Sequence, residues 1–223
     1  MCAIFGAFSK SMYEVLMAAN VDRGNFAYSH CFVNKGTVPL SIQRFDKILP
    51  PEKIKASDNI KYFFGHYQAP TSFVEYWDVK TSHPFIEGDW VVAHNGVITN
   101  FEDLEVDFTS NHTLQIDSNI IPIILDHFYK KTQNVVTSIE KTFDLIEGTA
   151  AVWIVNTKHK QSFILRQGST LFANKKTGCF SSVECSSKEW CALDEGAVYE
   201  INYKRKKLVE VGNFKVKSPF LFV

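Results

Sequence analysis

The 223-residue sequence predicts an α+β fold built mainly from antiparallel sheets. Two observations support this prediction. Short apolar runs bounded by turn residues, which are typical of strands, cluster toward both ends of the chain. Three amphipathic segments have helical spacing, and two of them follow one another in the middle of the chain. Because strands and helices do not alternate regularly, a doubly wound parallel fold is disfavoured.

Seven segments have the apolar character and length of strands. They are residues 3–8, 29–33, 61–66, 90–93, 150–156, 162–166 and 197–201. Three segments predict helices, namely residues 11–20, 118–130 and 135–145. We expect Ser11 to cap the first helix, which would bury one apolar face: Met12, Val15, Leu16 and Ala19. Pro122 falls in the first turn of the second helix, where proline is tolerated.

Length and composition indicate one domain over residues 1–223. A chain of this size buries roughly 70–75% of its unfolded surface. Hydrophobic residues make up 45% of the sequence and 19 residues are phenylalanine, which predicts a well-filled core. Because 24 basic residues balance 24 acidic ones, we expect no nucleic-acid partner. No phosphate-binding glycine loop is present, and no cofactor is predicted.

The sequence also indicates a cellular compartment. No apolar run approaches the roughly 18–20 residues of a membrane helix, and the N-terminus lacks the basic flank of a signal peptide. Five cysteines, an odd number, fit a reducing compartment better than a disulfide scaffold. We therefore expect a cytoplasmic protein without a membrane partner. Cys179, Cys185 and Cys191 are six residues apart, which matches no zinc-ligand pattern, so no metal site is predicted.

Cys2 is the first candidate catalytic residue. Once Met1 is removed, Cys2 carries a free α-amine, whose unperturbed pKa of roughly 7.7–8.0 leaves a sizeable neutral fraction near pH 7. This amine could take the thiol proton directly or through a water, so that one residue supplies both nucleophile and base. The strand-like residues 3–8 would pin this terminus in a sheet. A Met-Cys start also occurs by chance, so the signal needs a second motif.

Asn95 and Gly96 form the second candidate, just after the predicted strand 90–93. Asn-Gly at a strand end is typical of a tight hairpin turn, which is the structural interpretation. The functional interpretation is an oxyanion hole, in which the Asn95 side-chain N–H and the Gly96 backbone N–H point at one developing negative oxygen. Glycine would allow close approach of the backbone. These two residues alone leave both interpretations open.

A series of motifs in fixed order joins the two signals. In chain order it reads MCAIFGAF from residue 1, RGNFAYS at 23–29, FGHYQAPTS at 64–72, SHPF at 82–85, HNGVITNFEDL at 94–104, QIDSNII at 115–121, LIEGTAAVWIVN at 145–156 and LRQGSTLF at 165–172. Over nearly the whole chain this series resembles the glutaminase domain of class II glutamine amidotransferases. Those enzymes typically begin Met-Cys-Gly-Ile and carry versions of RGPDS, GHTRWAT, HPF, HNGxIxN and TDTE.

The resemblance implies a four-layer αββα sandwich of two mainly antiparallel sheets, the N-terminal-nucleophile hydrolase fold. It implies that Cys2 attacks the side-chain amide of glutamine and that Asn95 and Gly96 hold the tetrahedral intermediate. Asp117 matches the aspartate of TDTE and would pair with the substrate α-ammonium group. His83, from the family's His-Pro motif, would shape the pocket wall and is a candidate substrate contact.

The sequence departs from the family where the substrate α-carboxylate is held. Gln68 stands in place of the arginine of GHTRWAT, and a carboxamide lacks the charge and the bidentate fork of a guanidinium. Thr71 does match the threonine of that motif. Arg23 and the following glycine of RGNFAYS are kept, but the aspartate of RGPDS is absent. Either another cation, Arg23 or Arg44, serves the carboxylate, or the natural amide is not free glutamine.

These features predict a glutaminase subunit that hydrolyses the glutamine amide through a Cys2 thioester. We expect it to supply ammonia to a separate acceptor enzyme, because the glutaminase motifs use up the whole chain. Two alternatives stay open: an amidohydrolase of the same superfamily that acts on a different amide, and a catalytically silent binding module on the same fold. Gln68 bears on the first alternative. The intact Cys2, Asn95, Gly96 and Asp117 argue against the second.

Overall fold

A computed structural model describes residues 2–35, 40–48, 54, 59–69, 82–109, 116–185 and 188–217. The described residues group into two compact units. The first unit comprises Met1–Pro84, Thr170–Ala192 and Ile201–Leu208, and the second comprises Phe85–Ser169, Leu193–Glu200 and Val209–Val223. A single domain over residues 1–223 stays a prediction.

The described elements are mostly strands. In chain order they are β1 (Ala3–Ala7), α1 (Lys10–Asn20), β2 (Ala27–Asn34), β3 (Leu40–Phe45), β4 (Ile60–Gln68), β5 (Phe85–Glu87), β6 (Trp90–Ile98), α2 (Phe101–Phe108), α3 (Ile120–Thr132), α4 (Val135–Leu145), β7 (Gly148–Asn156), β8 (Gln161–Gln167), β9 (Phe172–Asn174), β10 (Cys179–Ser181), β11 (Cys191–Ala192), β12 (Ala197–Asn202) and β13 (Lys207–Asn213). Short 3₁₀ turns occupy Val21–Arg23 and Asp117–Asn119. The predicted strands and helices are confirmed as to type, with shifted ends.

The first unit is built on a seven-stranded sheet in the order β11-β9-β10-β1-β4-β2-β3. Its strand pairs are antiparallel, and β1 pairs with β10 on one side and with β4 on the other. Because side chains alternate along a strand, Ala3, Phe5 and Ala7 share one face. That face packs in one core cluster with Tyr13, Leu16 and Met17 of α1. The strand that follows Cys2 is therefore an interior strand of this sheet.

Two details of α1 differ from the sequence prediction. Ser9, rather than Ser11, caps the helix, because its Oγ accepts the Met12 N–H at 3.3 Å. Met12 and Val15 are 37% and 57% exposed and Ala19 is exposed as well, so the predicted apolar face is wrong except for Leu16, which is buried. The buried face is instead Tyr13, Leu16, Met17 and Asn20. The physical reason is the large aromatic area of Tyr13, whose ring lies 5.4 Å from Phe5 and 5.2 Å from Phe63 between centroids.

The second unit is built on a six-stranded sheet in the order β13-β12-β8-β7-β6-β5. Helices α3 and α4 bury apolar residues in one cluster with this sheet: Ile121, Ile124, Leu125, Ile139 and Phe143 pack with Trp90, Val152 and Phe163. Helix α2 has no predicted counterpart. Its eight residues bury only Leu104 and Glu105, which is too short a pattern to show a helical period. No helix in the described part of the chain is both long and apolar enough to cross a membrane.

His30 joins α1 to the sheet of the first unit through a buried hydrogen-bond chain. Tyr13 Oη lies 2.9 Å from the Phe64 carbonyl oxygen and 2.7 Å from His30 Nδ1. A carbonyl can only accept, so the Tyr13 hydroxyl donates to Phe64 and the His30 Nδ1–H donates to Tyr13. Burial lowers the pKa of His30 to about 4. The folded protein therefore holds this ring neutral down to moderately acid pH.

We expect this histidine to make folding stability depend on pH. Its folded pKa lies below the ordinary value, so the unfolded chain binds the extra proton as pH falls from about 6.5 to 4, and stability is lost across that window. The full effect is about 3 kcal/mol in the free energy of unfolding. Urea unfolding at pH 7 and pH 4.5 should show a smaller loss for His30→Gln than for the native chain. Burial and the neighbouring lysines also lower the pKa of His127, but this ring is partly exposed, so His127→Gln should reduce the loss less than His30→Gln does. The same loss of stability in His30→Gln as in the native chain would contradict this account.

Candidate active site

Cys2 directly precedes the interior strand β1 and is 8% exposed. Its Sγ is 3.2 Å from the Ala69 carbonyl oxygen and 3.4 Å from the Ala69 nitrogen. Ala3 pairs with Tyr67, so Cys2 and Gln68 lie side by side at the ends of β1 and β4. Cys2 therefore occupies a defined position instead of a frayed terminus. The expectation that residues 3–8 hold this terminus in a sheet is confirmed.

Arg23 braces the same strand end. It sits on the 3₁₀ turn after α1, where its Nε donates to the Cys2 carbonyl at 3.2 Å and its Nη1 donates to the Ser182 carbonyl at 3.2 Å. Burial lowers the pKa of this guanidinium and the neighbouring Cys2 opposes the shift, but arginine stays charged in proteins. The next residue, Gly24, has no room for a side chain, because a Cβ there would lie 2.7 Å from the Tyr67 backbone. The substrate-binding role of Arg23 stays a prediction.

Gln68 is the last residue of β4 and is 2% exposed. Its Oε1 is buried and has no hydrogen-bond partner among the described residues. A buried acceptor without a donor costs about 1–3 kcal/mol. Such a group beside a buried thiol is a candidate substrate contact, because a ligand N–H or O–H would satisfy it.

Two histidines stack in the same unit. The His66 and His83 ring centroids are 4.1 Å apart at an interplanar angle of 33°. Arg44 supports the segment that carries His83, since its Nε donates to Ser82 at 3.3 Å and its Nη2 donates to Pro84 at 2.6 Å, both on backbone carbonyls. His83 is 3% exposed. Its contact with substrate stays a prediction.

Asn95 and Gly96 lie inside β6, not in a hairpin turn. Residues 95 and 96 pair with Ala151 and Ala150 of β7, and β6 runs on to Ile98. The structural interpretation of a tight turn is therefore wrong. The predicted strand 90–93 ends too early, because an Asn-Gly signal cannot reveal a strand that continues through the glycine. A Cβ on Gly96 would lie 1.9 Å from the Thr149 carbonyl oxygen and 2.7 Å from His94 Nε2, so only glycine fits.

Asp117 lies next to the same strand of the second unit. Its Oδ2 accepts the Ile98 N–H at 2.8 Å, and its Oδ1 accepts the Ser118 N–H at 2.7 Å. Ser118 Oγ in turn lies 2.8 Å from His94 Nδ1. The structure therefore brings Asp117, Ser118 and His94 into one hydrogen-bond network, and the His94 ring of that network lies close to Gly96. Sequence reasoning missed Ser118, for which a small polar residue directly after the candidate aspartate was the available signal.

The candidate residues divide between the two units. Cys2, Arg23, Gln68 and His83 belong to the first, whereas Asn95, Gly96 and Asp117 belong to the second. Thr71 lies outside the described residues.

Comparison with known proteins gives consistent results. No family model matches the chain. A glutamine–fructose-6-phosphate aminotransferase of Helicobacter pylori is 26% identical over 60% of this chain and 24% of its own length. A 7-cyano-7-deazaguanine synthase of Sulfolobus acidocaldarius is 27% identical over 71% of this chain and 34% of its own length. The chain thus spans about a third or less of these curated relatives.

Solved structures share the fold at low sequence identity. The glutamine phosphoribosylpyrophosphate amidotransferase of Bacillus subtilis matches 95% of this chain and 49% of its own with a TM-score of 0.70 at 14% identity. A glutamine aminotransferase class-II domain protein from Silicibacter pomeroyi matches 96% of this chain and 99% of its own with a TM-score of 0.55 at 10% identity. The predicted α+β fold with two mainly antiparallel sheets is confirmed. The chain is thus similar in sequence to part of the glutamine–fructose-6-phosphate aminotransferases, and it has the fold of the solved phosphoribosylpyrophosphate amidotransferase and glutamine aminotransferase class-II domain structures.

Proposed function

We propose that this protein is a cytoplasmic glutaminase whose nucleophile is Cys2. The observation that carries the proposal is the placement of the Cys2 thiol, held at the end of an interior strand against the Ala69 backbone. A nucleophile reacts faster when it is held in a fixed position next to the substrate. A residue at a chain terminus is held in this way when the strand that follows it is paired in a sheet.

In the proposed mechanism, the free α-amine of Cys2 takes the thiol proton and the sulfur attacks the side-chain carbonyl carbon of glutamine. Asn95 and Gly96 donate N–H groups to the resulting oxyanion. The ammonium formed on Cys2 then gives its proton to the amide nitrogen as the carbon–nitrogen bond breaks, so that the nitrogen leaves as ammonia. Water hydrolyses the thioester to glutamate, with the same amine as base.

At the other end of the substrate, Asp117 would bind the α-ammonium group. Its two carboxylate oxygens accept backbone N–H bonds from Ile98 and Ser118, and a carboxylate offers about four acceptor sites. Acceptor capacity therefore remains for a cation. Gln68 and Thr71 would face the remainder of the amino-acid group.

The released ammonia would pass to a separate acceptor enzyme. Support comes from the relatives, whose names pair glutamine with acceptors as different as fructose 6-phosphate and phosphoribosylpyrophosphate. Glutamate formation from glutamine, measured with the protein alone and with cell extract, tests both steps. Extract that accelerates glutamate release supports an acceptor protein.

A second candidate is an amidohydrolase for an amide other than free glutamine. The observation that favours it concerns the two cations offered as substitutes for the family arginine. Arg23 donates to the carbonyls of Cys2 and Ser182, and Arg44 donates to those of Ser82 and Pro84. Both guanidiniums thus donate to backbone carbonyl oxygens, and Gln68 offers a substrate carboxylate only a neutral carboxamide.

We expect the active chain to begin at Cys2. The mechanism needs the free α-amine as base, and a peptide bond to Met1 would remove it. Intact-mass spectrometry of purified active protein should show the loss of one methionine residue. Full activity in protein that retains Met1 would rule out the α-amine as base.

Substitution of the nucleophile and of the oxyanion donor should have graded effects. Cys2→Ala should abolish glutamine hydrolysis, and Asn95→Ala should lower kcat by about a hundredfold or more, the scale for one oxyanion donor. Cys191→Ala changes an exposed cysteine and serves as the matched control with native activity. Circular dichroism should show an unchanged fold in all three. Native kcat in Asn95→Ala would mean that the oxyanion is bound elsewhere.

Gln68→Arg should improve the use of free glutamine. The native chain lacks one charge-assisted contact to the α-carboxylate, which is worth roughly 1.5–3 kcal/mol, or about tenfold to a hundredfold in affinity. We therefore expect a high KM for glutamine in the native chain and a KM lowered by that factor in the variant. Gln43→Arg adds the same charge on β3 and should not lower KM. If Gln68→Arg shows no glutamine turnover while the native chain cleaves another amide, the second candidate function replaces the first.

A further inference from the structure

Ser118 has one hydroxyl hydrogen and two acceptors within reach. Its Oγ lies 2.8 Å from His94 Nδ1 and 3.1 Å from Asp117 Oδ1, and the residue is 3% exposed. The direction of this single hydrogen decides which neighbour is satisfied. His94 and Asp117 are thereby coupled through one rotatable bond.

The partners of His94 determine that direction. His94 Nε2 lies 3.1 Å from the Thr149 carbonyl oxygen, which can only accept, so Nε2 carries the ring proton. Burial lowers the pKa of His94, with smaller opposing effects from Asp117 and the Thr149 carbonyl. The ring is therefore neutral near pH 7 and Nδ1 is a bare acceptor. The Ser118 hydroxyl accordingly donates to His94.

This hydrogen-bond direction affects both neighbours of Ser118, Asp117 and His94. Asp117 Oδ1 keeps the Ser118 backbone N–H but does not receive the hydroxyl hydrogen, so an acceptor site stays open for a cation. The His94 ring is held at both nitrogens, at Thr149 and at Ser118. His94 belongs to β6, and its ring lies on the same face of that strand as Gly96, since a Cβ at Gly96 would lie 2.7 Å from Nε2.

We propose that Ser118 is a positioning residue of the catalytic site, which holds the His94 ring against Gly96 of β6 while leaving Asp117 free to bind the substrate ammonium. This inference rests on the proposed glutaminase function. It assigns two tasks to the Ser118 hydroxyl. The hydroxyl fixes the His94 ring beside the Gly96 backbone, and it directs its hydrogen away from the Asp117 carboxylate.

Ser118→Ala separates the two tasks. The variant removes the hydroxyl that donates to His94 Nδ1, so the position of the ring and of the adjacent Gly96 becomes less fixed. We therefore expect kcat to fall about threefold to tenfold. Asp117 keeps both backbone N–H bonds, so KM for glutamine should stay within about twofold of native. Ser118→Thr retains a hydroxyl and should recover most of kcat. Ser138→Ala, a fully buried serine of α4 whose hydroxyl bonds Asn134 and Thr132, is the matched control with native kinetics.

Nitrogen-15 NMR of the imidazoles adds a readout that is made on the native chain, with a variant needed only to assign the signals. The His94 signals, identified by their loss in His94→Gln, should show a protonated Nε2 and a bare, hydrogen-bonded Nδ1 in the native chain. A protonated Nδ1 at pH 7 would overturn the inference. Native kcat in Ser118→Ala would also overturn it, as would a rise in KM of that variant as large as the fall in its kcat. If the native chain forms no glutamate from glutamine, the proposed function itself fails and takes the positioning role with it.

Discussion

The first unit depends on anchoring a strand that begins at the third residue of the chain. Terminal residues ordinarily fray unless they are tied down. Here β1 is paired on both sides, and Ser182 binds Ile4 twice, through Oγ to the Ile4 N–H and through its own N–H to the Ile4 carbonyl, each at 2.9 Å. Arg23 adds a charged donor to the Cys2 carbonyl. Cys2 and Gln68 thus lie side by side at the paired ends of β1 and β4.

That anchoring explains how α1 is used. Asn20, at the end of the helix, donates through its side chain to Ser181 at 2.9 Å, and the next turn delivers Arg23. The helix end is therefore tied to β10, the strand that also pairs with β1. A short polar side chain at the helix terminus and an arginine three residues later thus both stabilise the position of β1, the strand that follows Cys2.

In the second unit, a close approach of two strands sets the geometry. The Thr149 carbonyl of β7 lies where a Gly96 side chain would begin, and His94 bonds to that same carbonyl. Buried polar groups are costly unless they are paired, and a network of satisfied groups becomes rigid for that reason. The chain Thr149–His94–Ser118–Asp117 is such a network. It ties the 3₁₀ turn before α3 to the strand that carries Asn95.

The sequence by itself determined the α+β class, most strands, the helices at 118–130 and 135–145, and the motif order that resembles class II glutamine amidotransferases. These are local patterns, or sets of residues at fixed spacing, and they do not need the third dimension. It could not show that β6 passes through Asn95 and Gly96, since an Asn-Gly pair has the same letters in a turn and in a strand. Nor could it orient α1, whose buried face is chosen by what Tyr13 meets on the sheet. The tertiary structure alone decided that Arg23 and Arg44 bind backbone carbonyls and that Ser118 stands between His94 and Asp117, because hydrogen bonds between residues distant in sequence follow from packing and not from local pattern.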